Sequence, residues 1–195
     1  MATSEAKVCN IALRQLRAQR INDLSDASRE GQLAQELFAD ARDWVMAAHP
    51  WNFALVRQAL AKSATAPAFG FSAAFALPVE PFCLRAWKLN GSLDSFRGDG
   101  DRFKVEGRFI LTDAGAANLL YIARIADVSL WSPGFVQALA AYLRWQMAYA
   151  LTGSRGMEDS ARAAFQDTLR KARAIDGVED HPDDLPVSPF VAVRG

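Results

Sequence analysis

Apolar residues recur with the period of an α-helix near both ends of the chain and alternate as in β-strands between them. The first helical pattern predicts a helix over residues 4–19, and Thr3 or Ser4 can cap its first backbone N–H groups. The longest pattern predicts a second helix over residues 26–49. Pro50 ends this helix, because a proline ring clashes inside a continuing helix.

The helical period returns in the last third of the chain. Ser132 followed by a proline is typical of a helix start and Gly153 of a helix end, so the sequence predicts a third helix over residues 133–152. A fourth helix is predicted over residues 156–175. Its acidic residues come early and its basic residues late, as the helix dipole favours.

The central part of the chain, about residues 70–125, has the pattern of a β-rich insertion. Asn90 and Gly91 favour one tight hairpin turn, and Gly107 and Arg108 mark another. The predicted strands cover residues 71–77, 82–89, 92–96, 103–105, 109–111 and 119–123.

Helices around a β-rich insertion define an α+β fold, with a bundle of about four helices from both chain ends and an inserted small antiparallel sheet. We expect residues 1–176 to form a single domain. Residues 177–195 are acidic and contain prolines, so we expect a flexible C-terminal tail. A solvated acidic tail does not account for the apolar residues Phe190, Val191 and Val193. We expect these residues to dock on a partner.

The charge balance limits the classes of partner. The chain carries 22 basic and 22 acidic residues, which argues against a dedicated nucleic-acid surface, because such a surface depends on Lys and Arg. Its apolar runs stay well short of the roughly 20 residues that cross a membrane. The first residues lack the pattern of a signal sequence. We therefore expect a soluble protein made in the cytoplasm, without a membrane partner.

The residues that carry chemistry favour structural roles. Cys9 and Cys83 lie among apolar neighbours and are expected to behave as small buried hydrophobes. His49 is expected to bind the last carbonyls of the second helix. His181 lies in the acidic tail, where a solvated linker is favoured over a metal site. The common catalytic and nucleotide-binding motifs do not occur, so we expect no enzyme active site, no metal and no cofactor.

The five tryptophans are candidates either for the core or for a partner surface. Trp44 follows the apolar face of the second helix and Trp51 follows the helix-ending proline, so both are expected in the core. Trp145 lies off the apolar stripe of the third helix, which makes it the best candidate for a partner contact. Trp87 and Trp131 fit either role.

Five short motifs follow one another along the chain. They are Ala12-Leu13-Arg14-Gln15-Leu16, Ala41-Arg42-Asp43, His49-Pro50-Trp51-Asn52-Phe53-Ala54, Ala76-Leu77-Pro78 with Cys83-Leu84-Arg85, and Ala150-Leu151-Thr152-Gly153-Ser154. Together they resemble the tail tubular protein A family, the adaptor proteins of short-tailed bacteriophages. The hexapeptide that begins at His49 carries most of this resemblance.

The resemblance implies a helical part joined to a β part, and a ring of twelve subunits between the portal protein and the tail nozzle protein. Such a ring seals and extends the DNA channel, and double-stranded DNA passes through its lumen without specific binding. The protein would then belong to the virion tail and be made in the cytoplasm of the host bacterium. The alternatives are a small cytoplasmic oligomeric enzyme and a helical protein-binding module.

Overall fold

The computed structural model describes residues 4–91 and 101–179. In these two ranges the fold is α+β, as predicted, with four helices and two small three-stranded antiparallel sheets inserted between the second and third helix. The helices are α1 Glu5–Gln15, α2 Arg29–Ala47, α3 Pro133–Thr152 and α4 Arg155–Glu179. The strands are β1 Leu55–Ala59, β2 Ala73–Ala76, β3 Cys83–Leu89, β4 Phe103–Glu106, β5 Phe109–Thr112 and β6 Asn118–Ala123.

The third helix has the predicted bounds, because residues at each of its ends determine where it starts and stops. The Ser132 hydroxyl accepts a hydrogen bond from the backbone N–H of Phe135 at 3.3 Å. At the other end Gly153 adopts φ 66°, the left-handed conformation that glycine takes without steric cost. Helix α3 packs against α1, α2 and α4, and so forms the centre of the helical part.

The first two helices are shorter than predicted. Ser4 caps α1 by accepting from the backbone N–H of Lys7, but the helix ends at Gln15 rather than at residue 19. The Asn10 side chain bonds both the N–H and the carbonyl of Ile21, at 2.9 and 2.8 Å, which holds the following loop against the helix. Helix α2 begins at Arg29 rather than at residue 26.

The central region forms two sheets, whereas the sequence predicts one. The strand order is β1-β6-β3 in the first sheet and β2-β5-β4 in the second. Strand β1 is absent from the prediction. The predicted hairpin at Gly107 is confirmed, with β4 and β5 paired and Gly107 at φ 56°. The predicted strand over residues 92–96 lies outside the described residues, and β3 pairs with β6.

Strand β6 separates two hydrophobic cores. Successive side chains of a strand point to opposite faces of its sheet. Ile122 therefore belongs to the core of the helical part, while Tyr121 and Ala123 belong to the core between the sheets. The first sheet is thus packed on both faces and joins the helical part to the second sheet.

Helix α4 runs to Glu179, so Gly177 and Val178 are helical rather than part of the tail. The predicted end of this helix at residue 175 is therefore too early. The rest of the predicted flexible tail, with Phe190, Val191 and Val193, lies outside the described residues.

Candidate partner interface

The hexapeptide forms the corner between the helical part and the first sheet. Trp51 is 0% exposed, which confirms the prediction that it lies in the core. Its indole Nε1 donates to the Val45 carbonyl at 3.1 Å. Its ring meets Phe135 of α3 edge to face, with 5.4 Å between centroids. Trp51 therefore anchors the segment after α2 against α3.

The same corner holds the end of α4. His49 Nε2 lies 3.1 Å from a carboxylate oxygen of Asp176, which is 5% exposed. The backbone N–H of Asn52 donates to that carboxylate at 3.3 and 3.4 Å, and the Asn52 side chain donates to the Asp176 carbonyl at 2.9 Å. The hexapeptide thus fixes the point from which the chain continues after Glu179.

The prediction that His49 binds the last carbonyls of α2 is wrong. Arg173 of α4 takes that role, since its guanidinium donates to the Ala48 carbonyl at 2.8 Å. A cation from another helix thereby neutralises the carbonyl end of α2. His49 is left free to face the carboxylate of Asp176.

We expect Asp176→Ala to lower the free energy of unfolding by about 1–3 kcal/mol, because the part-buried polar groups of His49 and Asn52 lose their partner. His49→Gln should then cost less in the Asp176→Ala background than in the wild type, since the two residues share one interaction. Urea titration of the four proteins measures both effects.

Asp167→Ala is the matched control on the same helix. Asp167 pairs with Arg170 and Lys171 on an exposed surface, so its loss should change stability little. Additive effects of the His49 and Asp176 variants would contradict the coupling.

A cluster of aromatic side chains covers one face of the helical part. We call it the aromatic cluster: Trp44 of α2, Tyr142 and Trp145 of α3, and Phe165 of α4. Trp44 stacks on Tyr142 with 4.7 Å between centroids. Trp145 stacks on Phe165 at 6.0 Å and meets Tyr142 edge to face at 5.6 Å. The cluster packs α2, α3 and α4 together, and part of its surface faces solvent.

Trp44 is 49% exposed, so the prediction that it lies in the core is wrong. The buried stripe of α2 runs through Ala34, Phe38, Ala41 and Val45. Trp44 flanks this stripe and packs on Tyr142 and Phe165 with about half of its surface exposed. Apolar spacing locates the buried face of a helix, but it does not tell how far around the helix that face extends.

Trp145 is half-buried within the aromatic cluster, and the guanidinium of Arg162 lies 5.6 Å from its ring centre. The exposed Tyr149 follows it by one helical turn on α3. Half-exposed Trp and Tyr beside an Arg are the residue types enriched at protein interfaces. The predicted contact residue thus belongs to a larger candidate surface that also includes Trp44.

A second apolar surface lies on the second sheet. An open groove of about 710 Å³ runs between the loop that precedes β2 and strands β4 and β5. Its aromatic lining residues are Phe69, Phe71, Phe103 and Phe109. Lys104 and Glu106, also in its wall, pair with each other at 2.8 Å. The groove therefore offers mainly apolar contact.

Both cysteines are buried and reduced, as expected from their apolar neighbours. Burial raises the pKa of the Cys9 thiol to about 12 and that of the Cys83 thiol to about 11. Because the thiolate is the reactive form, neither thiol is a nucleophile near neutral pH.

The described ranges contain no group of three or more His, Cys, Asp or Glu side chains placed to hold a metal ion. Among the helices of those ranges, none is long and apolar enough to cross a membrane.

Comparison of the sequence with protein-family models gives no match, and comparison with curated proteins gives none either.

Proposed function

We propose that this protein is a structural adaptor of a short-tailed bacteriophage, one subunit of a ring that joins the portal protein to the tail nozzle protein. In this proposal the ring extends and seals the DNA channel, and duplex DNA passes through it without specific binding. The protein would act in the virion tail after synthesis in the host cytoplasm. The proposal includes no catalytic step and no cofactor.

The observation that best supports the proposal is the position of the motifs that resemble the adaptor family. Asp43, in the Ala-Arg-Asp motif, pairs with Arg124 at 2.5 Å and so connects α2 to the end of β6. The hexapeptide connects the end of α2 to Asp176 of α4. These motif residues hold the parts of the fold together, which suits a subunit whose task is mechanical.

A closed ring needs a head-to-tail interface between two different surface patches. The aromatic cluster on the helical part and the apolar groove on the second sheet are two such patches on different parts of the subunit. An interface of this kind needs buried aromatic anchors surrounded by polar residues. Trp44, 49% exposed, is available for that role.

The test mixes the purified protein with its cognate portal protein and follows their co-migration on a sizing column. An isolated monomer is compatible with the proposal, since adaptors of the resembling family can wait for the portal to template the ring. Absence of co-migration under any ratio of the two proteins would contradict it. Electron microscopy of the complex then counts the subunits, which the resemblance sets at twelve.

We expect Trp44→Ala to weaken ring assembly on the portal by about 2 kcal/mol per contact, roughly 30-fold in affinity, if Trp44 anchors the subunit interface. Trp87→Ala is the matched control, because Trp87 is a similarly exposed tryptophan on the first sheet. Thermal melting of both variants separates assembly from folding. Equal assembly of the two variants would remove the aromatic cluster from the interface.

A further inference from the structure

Two arginines near the end of α4 have unmatched hydrogen-bonding groups. The Nε atoms of Arg85 on β3 and Arg173 on α4 are buried and make no hydrogen bond within the described residues. Buried polar groups of folded proteins nearly always have a partner. Each of the two guanidinium groups therefore keeps part of its donor capacity unused within the described part.

The two side chains also lie within electrostatic reach of each other. Burial, and then the positive charge of Arg173, lower the pKa of Arg85. The Arg85 guanidinium lies 4.8 Å from the centre of the Trp87 ring, and none of the described carboxylates pairs with it. Two like charges held together in a partly buried setting are unfavourable unless an anion neutralises them.

Two carboxylates of low exposure, Asp43 and Asp176, are already engaged. Asp43 pairs with Arg42 and Arg124, and Asp176 accepts from His49 and Asn52. The acidic residues that follow Asp176 along the chain are Glu179, the last residue of α4, and then Asp180, Asp183 and Asp184.

We propose that Arg85 and Arg173 form a docking site for the acidic segment 180–184 of the same chain. The charges are complementary, with at least two aspartates facing two arginines that have no other acidic partner in the described ranges. Planar guanidinium groups and carboxylates pair with good geometry. The proposal concerns the free chain and does not depend on the adaptor function.

The length of the chain permits this contact. Helix α4 ends at Glu179, six residues after Arg173, which corresponds to a rise of about 9 Å. The four residues from Glu179 to Asp183 span up to about 13–14 Å when extended. Because Asn52 holds Asp176, this short tether starts at a fixed distance along α4 from Arg173.

The tether also favours the segment over a competing anion such as a DNA phosphate. A short flexible connection gives a tethered group an effective concentration in the millimolar range. A weak contact between Asp and Arg is then occupied for much of the time. The proposed docking involves only residues 180–184, so Phe190 and Val191 stay available to another protein.

A fluorophore placed next to the acidic segment tests the proposal in the full-length protein. Leu185→Cys is labelled with a bimane maleimide, which a tryptophan quenches at contact distance. Cys9 and Cys83 are buried and do not compete for the label. Docking should bring the label to Trp87, so Trp87→Phe should raise the fluorescence by at least about two-fold at low salt, where ion pairs are least screened.

Arg85→Gln, and separately the double change Asp183→Asn with Asp184→Asn, should each raise the fluorescence to the Trp87→Phe level. Thermal melting of the double variant checks that its effect does not come from misfolding. Salt at about 1 M should act in the same way, because the Debye length then falls to about 3 Å. Arg57→Gln on the exposed part of β1 is the control and should change nothing.

Three outcomes would overturn the proposal. The first is fluorescence that is insensitive to Arg85→Gln and to the double aspartate change. The second is quenching that grows with protein concentration, which would mean that a second copy supplies the segment. The third is an Arg85→Gln protein with unchanged fluorescence but weaker binding of a short DNA duplex, which would assign the arginines to phosphate.

Discussion

Trp51→Ala is expected to lower the free energy of unfolding by about 3–5 kcal/mol, the range for removing a buried aromatic side chain. The ring is 0% exposed and contacts both Phe135 and Phe53. The change also removes the donor to the Val45 carbonyl, which is then left buried without this partner. Because Trp51 lies at the corner that also holds Asp176, the end of α4 should loosen with it.

Denaturant titration of the full-length protein measures this effect. Trp87→Ala is the matched control, since Trp87 is 39% exposed and its loss should cost far less. A Trp51→Ala protein that melts with the wild type but fails to assemble on the portal would place Trp51 in an interface instead of the core.

The parts of the fold that follow from local sequence agree with the prediction. Helix α3 has its predicted bounds because Ser132, Pro133 and Gly153 act on their own neighbouring backbone. The hairpin of β4 and β5 is set in the same way by Gly107. Signals of this kind need no knowledge of the rest of the fold.

The parts that differ depend on contacts between residues far apart in the sequence. Helix α1 stops early where Arg17 takes the left-handed conformation at φ 58°, and Asn10 then holds the backbone of Ile21 against the helix. Strand β1 has no alternation of apolar and polar residues, since Leu55 and Val56 are followed by Arg57, Gln58 and Ala59, and it exists through its pairing with β6. The division into two sheets has the same origin, since each sheet contains a pair of strands far apart in the sequence, β1 with β6 and β2 with β5.

The candidate interface could be predicted only in part. Trp145 was identifiable because it lies off the apolar stripe of its helix. The position of Trp44 at the edge of the buried face depends on how closely α3 and α4 approach α2, which one helix does not encode. The Asp176 partner of His49 lies 127 residues away, and no short motif connects the two.

Removal of residues 180–195 is expected to leave the melting temperature within about 1–2 °C of the full-length protein, a change of less than about 0.5 kcal/mol, because a weak contact between Asp and Arg adds little stability. The same truncation should weaken portal binding at least tenfold, about 1.4 kcal/mol. The cut follows Glu179 because α4 extends to that residue and Asp176 is part of the corner. A cut at the earlier predicted boundary would remove helical residues.

The loss of binding should come from the apolar end of the tail. Apolar residues on a polar tether can dock in a groove of a partner and order there, while the tether spans a mismatch in symmetry between two rings. Full-length protein with Phe190→Ser and Val191→Ser should therefore bind the portal as weakly as the truncated protein. Neutralising Asp183 and Asp184 to asparagine is the control, since it keeps the apolar residues. Sizing-column binding and thermal melting of the four proteins test this prediction. A truncated protein that unfolds early would show that the tail is part of the core. A truncated protein that binds the portal normally would show that the tail is dispensable for binding.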